Sequence, residues 1–359
     1  MVTLPVYVGL DYHQESVQVC VMDGQGGVLA NRSVANDVEA IAEVIPRQDV
    51  RVFAGVEACT GSADLAEALI GRGWSVDLAH AGYVARIKQN PDKTDFADAR
   101  LLADLERVGY LPKVWLAPQV IRELRRLVRY RQQLADEKRN RKLRIGALLR
   151  EQRLRTTEFN PWTLAWLKWL QTVDLSTQSR WLVEQHLQRL RELALAIKEV
   201  EERLRQVTSD DALVQALLQL SGVGLVTAIT LRAEIGRFDR FRSGKQLARF
   251  CGLSPRNVSS GQRQADAGVI KAGNPQLRAV LIQTAHRLMR HDARWRRLGQ
   301  QLRRRGKPGS VVAAAVANRW VRWLYHPMQP WGMGLPASCQ DFAGVVPATG
   351  GSLPPPDPR

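Results

Sequence analysis

Two apolar runs that each stop at an acid constrain this chain more than any other feature. Val6, Val8 and Leu10 alternate with Tyr7 and Gly9, the period of a half-buried strand, and the run stops at Asp11. Ser16 to Met22 alternates again, Asp23-Gly24-Gln25-Gly26-Gly27 supplies a turn, and Val28 to Val34 returns. A helix on Val38, Ile41, Ala42 and Ile45 follows, and then the run Val50 to Val56 ends at Glu57. Leu65 to Ile70 reads as a helix closed by Gly71 and Gly73, and Val76 to Leu78 as a short strand. Lys93-Thr94-Asp95-Phe96-Ala97-Asp98-Ala99 then opens a helix that continues through Leu101, Leu102 and Leu105. The order strand, strand, strand, helix, strand, helix thus delivers Asp11 and Glu57 at the C-terminal ends of two strands. Asp95 and Asp98, three apart, share one helix face with Cβ atoms roughly 5–6 Å apart.

Acids in a first helical turn are ordinarily explained by the helix dipole, which stabilises them there. The strand-end acids change that reading. Carboxylates held close together repel and resist ionising unless a cation lies among them. Four in one place make a cage for a hard cation such as Mg²⁺, which prefers oxygen ligands. Two such ions about 4 Å apart stabilise both the attacking and the leaving oxygens at a phosphate. The element order resembles the ribonuclease-H-like fold in its RuvC-type variant. The expected fold class is therefore an α/β RNase H-like (RuvC-like) N-terminal domain, a long-helix or coiled-coil region, and a mostly α C-terminal domain.

Charge supports a polyanionic partner. The chain has 52 Lys and Arg against 35 Asp and Glu, a net charge of +17, and nucleic acid is the simplest counterpart. Cys20, Cys59, Cys251 and Cys339 are scattered without metal-finger spacing, as in a reduced, cytoplasmic protein. The short apolar run near the N-terminus is interrupted by Asp11, so no signal peptide is expected, and no stretch is long enough to span a membrane.

The first domain is expected over 1–117. A basic helical region over 118–208 follows, in which Gln119 to Arg155 holds thirteen Lys and Arg against four acids. Ile121, Leu124, Leu127, Val128 and Leu134 give its helix one packed side, and Arg125, Arg126 and Arg129 are the expected phosphate contacts. Trp162, Trp166 and Trp169 mark a connector whose aromatics are suited to packing against neighbours more than to base stacking. Leu190, Leu193, Ile197, Val200, Leu204 and Val207 then step 3-4-3-4-3, a two-heptad seam. It suits an intramolecular antiparallel pair or a dimerisation stalk equally.

The region 209–328 begins with Asp210 or Asp211 as a helix cap. Ser221-Gly222-Val223-Gly224 between two helices looks like a helix-hairpin-helix turn, in which the Gly222 and Gly224 backbone N–H groups would hold a phosphate. Gly252-Leu253-Ser254-Pro255 leads through a loop or hairpin to Ser259-Ser260-Gly261, and Asn274-Pro275 starts a further helix. Arg256, Arg263 and Lys271 flank the serines and are cations suited to a phosphate. From Gln329 the Pro- and Gly-rich tail, 329–359, is expected to be disordered.

Taken in order, KTDFADA, the GVG turn, GLSP, SSG and the GxIxKxGNxxLR run resemble insertion-sequence transposases of the 110 type, the DEDD transposases related to the Piv DNA invertases. The resemblance covers roughly residues 5 to 330. It implies an acidic quartet of Asp11, Glu57, Asp95 and Asp98 and a nucleophilic Ser260. Ser221 departs from the family pattern, which has proline before the turn. The resemblance further implies a site-specific DNA recombinase guided by a bridge RNA, acting as a dimer to tetramer on donor and target DNA with Mg²⁺. Two other readings of the residues are a RuvC-like metal-dependent nuclease or junction resolvase, and a non-catalytic nucleic-acid-binding protein.

Overall fold

The computed structural model describes residues 4–46, 49–88, 94–257, 266–270 and 273–332. These divide after Pro118 into two compact units.

The first unit is mixed α/β. Strands β1 (Leu4–Tyr12), β2 (Ser16–Met22) and β3 (Val28–Ala35) form an antiparallel meander, followed by helix α1 (Val38–Ala42). Strand β4 (Val50–Glu57) returns parallel to β1, and helix α2 (Ser62–Gly71) leads to β5 (Ser75–Ala79), parallel to β4. Helices α3 (Ala81–Ile87) and α4 (Asp95–Arg107) precede the two-residue strand β6 (Lys113–Val114), antiparallel to β5. The sheet order is β3-β2-β1-β4-β5-β6.

Alternation assigns each strand residue to a face. Val6, Val8 and Leu10 of β1 and Val52, Ala54 and Val56 of β4 form one core with Ile41 of α1 and Leu65 and Leu69 of α2. The opposite face carries Gly9 and Gly55, paired across β1 and β4, and here α4 lies directly on the sheet backbone. A Cβ at Gly9 would stand 1.8 Å from the Ala99 carbonyl oxygen, so only glycine permits the approach. Small residues on α4 match it, since Ala99 and Ala103 are buried against Cys20 and Met22.

The second unit is mostly helical. Helices α5 (Gln119–Glu151), α6 (Leu164–Thr172) and α7 (Thr177–Val207) come first. At a rise of 1.5 Å per residue, α5 and α7 are each roughly 45–50 Å long. They pair antiparallel: Arg131 bonds Glu201, and Glu137 meets Arg189. Leu190, Leu193, Ile197, Val200 and Leu204 are all buried within this one chain, whereas Val207, at the end of the expected seam, is 47 % exposed. The tryptophan connector is a helix in its own right. Trp166 and Leu170 of α6 close the far end of the pair over Ile145, Leu149 and Val183.

Helices α8 (Ala212–Leu218), α9 (Leu225–Ile235) and α10 (Gly244–Phe250) follow, then the two-stranded ribbon of β7 (Pro255–Asn257) and β8 (Asp266–Val269). Helices α11 (Pro275–His291), α12 (Ala293–Arg304) and α13 (Gly309–Met328) complete the unit. Helix α9 is buried on every side from Thr227 to Ile235 and forms the centre of this core. Asp211 caps α8, Ser243 caps α10 and Asn274 caps α11 with Pro275 in its first turn.

Two further helices are absent from the periodicity reading. Helix α3 buries only Val84, and α12 presents Trp295, Leu298 and Leu302 from an otherwise arginine-rich stretch. The tail is expected to lose order from Gln329, yet Pro330–Gly332 form a 3₁₀ turn packed on α13 and α8. Residues 333–359 lie outside the described residues. Among the described residues no helix is long and apolar enough to cross a membrane, and Cys20, Cys59 and Cys251 are free thiols.

Candidate active site

The acids reach one place because of the register just described. Gly9 pairs with Gly55 and Leu10 with Val56, so Asp11 and Glu57 come next on the face that α4 covers. Helix α4 starts beside them. Thr94 caps it by accepting a hydrogen bond from the Ala97 N–H, and Asp95 and Asp98 fall in its first turn, where the helix dipole favours negative charge. Asp11, Glu57, Asp95 and Asp98 all line a single cleft of about 860 Å³.

Two further residues enter the cleft. His13 directs Nε2 at Asp95 Oδ2, 3.3 Å away, and at Asp11 Oδ2, 3.7 Å away. Its backbone is fixed, because His13 N–H donates to Ser16 O at 2.9 Å and Asn36 Nδ2 donates to His13 O at 3.0 Å. Lys88, next after α3, places Nζ 2.7 Å from Asp98 Oδ2. Asp98 is only 8 % exposed, so this ion pair is shielded from water. Neither residue stands out in the sequence. The signal for His13 is simple alternation, since 9, 11 and 13 extend one strand face, whereas Lys88 has none.

Electrostatics follow from that packing. Burial pushes the Asp11 carboxyl above its ordinary value. His13 opposes the shift, Asp95 and Asp98 add to it, and Lys88 opposes it again. An ionised Asp11 is therefore costly until more positive charge arrives. Carboxylate and imidazole donors so placed fit a divalent cation: one ligand atom each of Asp11, His13 and Asp95 lies within 4.8 Å of the others.

The basic residues of the second unit divide differently. Arg125, half-buried, donates Nε to the Ala233 carbonyl at 2.6 Å, and burial lowers its pKa. Arg129 donates to both Glu234 oxygens at 3.1 and 3.3 Å. Both thus take part in the packing of α5 on α9, and the Arg129 side chain also remains about half exposed. Arg126 is exposed and makes no ion pair among the described residues.

At the glycine turn, Gly222 has φ +75° and lies against Leu288, where a Cβ would be 3.0 Å from Cδ2. Gly224 begins α9 with open space around it. Thr227, in the first turn of α9, accepts from Arg287 Nη2 at 2.7 Å. Arg256 lies exposed on β7. Ser259, Ser260 and Arg263, which fall between β7 and β8 in the chain, and Lys271 lie outside the described residues.

Comparison with known proteins shows what the chain is similar to. Residues 8–153 match the DEDD-type transposase domain of the IS110 group, and residues 214–300 match the Transposase IS116/IS110/IS902 family. The chain is 28 % identical to the transposase for insertion sequence element IS1111A of Coxiella burnetii, over 88 % of each chain. It is 29 % identical to a probable family 20 transposase of Pseudomonas aeruginosa, over 89 % of this chain and 95 % of that one. The transposase for element IS1328 of Yersinia enterocolitica is 26 % identical, over 88 % and 94 %. The cleft of acids thus sits in the domain of an insertion-sequence transposase. The chain belongs to the IS110 family of these proteins.

Proposed function

We propose that the protein cleaves and rejoins DNA strands to excise and insert its element, using the acid cleft and Ser260. The observation that carries this is the convergence of Asp11, Glu57, Asp95 and Asp98 from β1, β4 and α4 on one cleft, in a chain of this family. The sheet order and the origin of those acids support an RNase H-like domain of the RuvC type. Asp11, His13 and Asp95, with Glu57 and Asp98 beside them, would hold the divalent cation, Mg²⁺ by the family resemblance. When bound, that ion polarises a phosphate and favours the alkoxide form of an attacking hydroxyl.

The chain's own residues supply the rest. Ser260 Oγ attacks the phosphorus of a DNA phosphodiester, forming a serine–phosphate ester as the bond from phosphorus to the leaving oxygen breaks. The serine proton is lost and the leaving oxygen gains one. In rejoining, a strand-end hydroxyl attacks that ester and releases the serine. Arg256, Arg263 and Lys271 neutralise the phosphate as charge builds. The resemblance adds a bridge RNA that pairs with donor and target DNA, and a homo-oligomer of two to four chains. Gly222 and Gly224 are the expected backbone contacts to phosphate, with α9 behind them.

The test is a covalent-adduct assay with end-labelled element DNA, guide RNA and Mg²⁺. Ser260→Ala should abolish the protein–DNA adduct and recombination while nucleic-acid binding persists, and Ser259→Ala should be far milder. An adduct that survives Ser260→Ala removes that serine from the mechanism. If the wild type cuts DNA but never forms an adduct, a hydrolytic nuclease is the better description.

A further inference from the structure

The side chains in the cleft do not divide as four carboxylates awaiting two ions. Asp11, His13 and Asp95 cluster on one side, with Nε2 of His13 at 3.3 Å and 3.7 Å from the two carboxylate oxygens. Cis ligands of an octahedral ion with bonds of about 2.1 Å lie roughly 3 Å apart, so these separations already approach a ligand set. On the other side Asp98 is occupied by Lys88 at 2.7 Å. That ammonium sits on a carboxylate that is itself almost out of water. A second ion bridging Asp98 would have to displace it.

Resting on the reading of this cleft as a cation site, we propose that it holds one divalent cation per chain. Asp11, His13 and Asp95 ligate that ion, and Lys88 supplies the second positive charge at Asp98. His13 then has a chemical consequence. Mg²⁺ is a hard ion that takes oxygen ligands, and an imidazole nitrogen shifts preference towards first-row transition dications. The cleft therefore favours Mn²⁺ over Mg²⁺, although Mg²⁺ also binds.

Lys88 is suited to its part because a lysine is a compact point charge that can neutralise one phosphate oxygen without needing a coordination shell. It is also tethered: the Lys88 N–H donates to Val84 O at 3.1 Å, at the end of α3. With Nζ already on Asp98, its charge is in place before any ion or DNA arrives. The alternative is that His13 is only an ion-pair partner of the two acids and Lys88 only neutralises Asp98.

Mn²⁺ titration of the full chain without DNA, followed by electron paramagnetic resonance, separates these. Wild type should bind one Mn²⁺, with an electron-spin-echo modulation from a directly coordinated nitrogen. His13→Gln should lose that modulation and weaken Mn²⁺ about tenfold or more, with a much smaller loss for Mg²⁺. Lys88→Met should admit a second Mn²⁺, seen as a stoichiometry of two or as dipolar broadening between ions. Circular dichroism and melting of each variant check that the fold is retained, which the half-exposed position of His13 favours.

Mn²⁺ binding without nitrogen modulation in the wild type would overturn the role of His13 while leaving the cation reading intact. Two ions in the wild type, or a stoichiometry of one in Lys88→Met, would overturn the role of Lys88. Failure to bind up to millimolar Mn²⁺, in wild type and Asp11→Asn alike, would instead remove the cation site itself, and this inference with it.

Discussion

The cleft of the first unit and the basic helix α5 of the second both concentrate charge, and they use it in opposite ways. In the cleft, like charges are brought together from β1, β4 and α4, and burial, with Asp95 and Asp98 adding to it, holds the Asp11 carboxyl above its ordinary value. On α5, several of the arginines are answered inside the unit. Arg125 meets a backbone carbonyl, Arg129 meets Glu234, Arg131 meets Glu201, and Arg141 meets Glu137. Charge left in tension identifies a place where something must bind. Charge that is answered by partners identifies how the protein is held together, whatever its net sign.

The sharpest way to break the comparison is to remove one charge from each region. Asp11→Asn should lower strand cleavage by about a hundredfold or more, because a lost ligand removes transition-state stabilisation of several kcal/mol. Its melting temperature should stay level or rise, since an unfavourable buried charge is gone. A stability loss with activity retained would mean Asp11 is structural. Arg125→Ala should do the reverse, destabilising the second unit by roughly 2–3 kcal/mol as a buried charge-assisted hydrogen bond is lost. Denaturant unfolding measures it. Arg126→Ala is the control on the same helix: it should leave unfolding unchanged and reduce the salt dependence of nucleic-acid binding by about one unit of slope.

Smaller effects sharpen the picture at the two glycines of the turn. Gly222→Ala places a side chain at φ +75° against Leu288 and should cost about 1–2 kcal/mol. Gly224→Ala meets open space at an ordinary φ, so stability should barely change. A clear loss of DNA or RNA affinity from Gly224→Ala alone would then report close backbone approach to phosphate. The smallest change is expected at Thr94. Losing its cap costs about 1 kcal/mol locally, read as faster amide exchange over the first turn of α4.

Much of the first unit was legible because its strands alternate cleanly and its turns carry their own punctuation. Ser16–Met22 is both the expected and the observed strand, and Asn274-Pro275 opens a helix as its chemistry requires. The acids' positions followed from period-two reasoning within each strand. That they share one cleft depends on the parallel register of β1 with β4, which no local pattern encodes. Lys88 was invisible for the same reason: its relation to Asp98 exists only after α3 and α4 have packed. In the second unit the seam of α7 was readable as a seam, but its partner was not. An apolar stripe states that something covers it, and only the assembled chain shows that α5 does. The partners of Arg125 and Arg129 are equally out of reach, because a one-dimensional count of charge carries no information about Ala233 and Glu234, about a hundred positions later.

The missing side chain at Gly9 has a consequence for how this protein tolerates change. Because α4 rests on bare strand backbone at Gly9, the spacing between the sheet's acids and the helix's acids is gauged there by main-chain contact. A methyl group there would lift α4 bodily and carry Asp95 and Asp98 away from Asp11 and Glu57 in one movement. A misplacement of about 1 Å can by itself cost a hundredfold in rate. A residue without functional groups thus sets the calibration of the cleft, and its loss would resemble the loss of several acids at once.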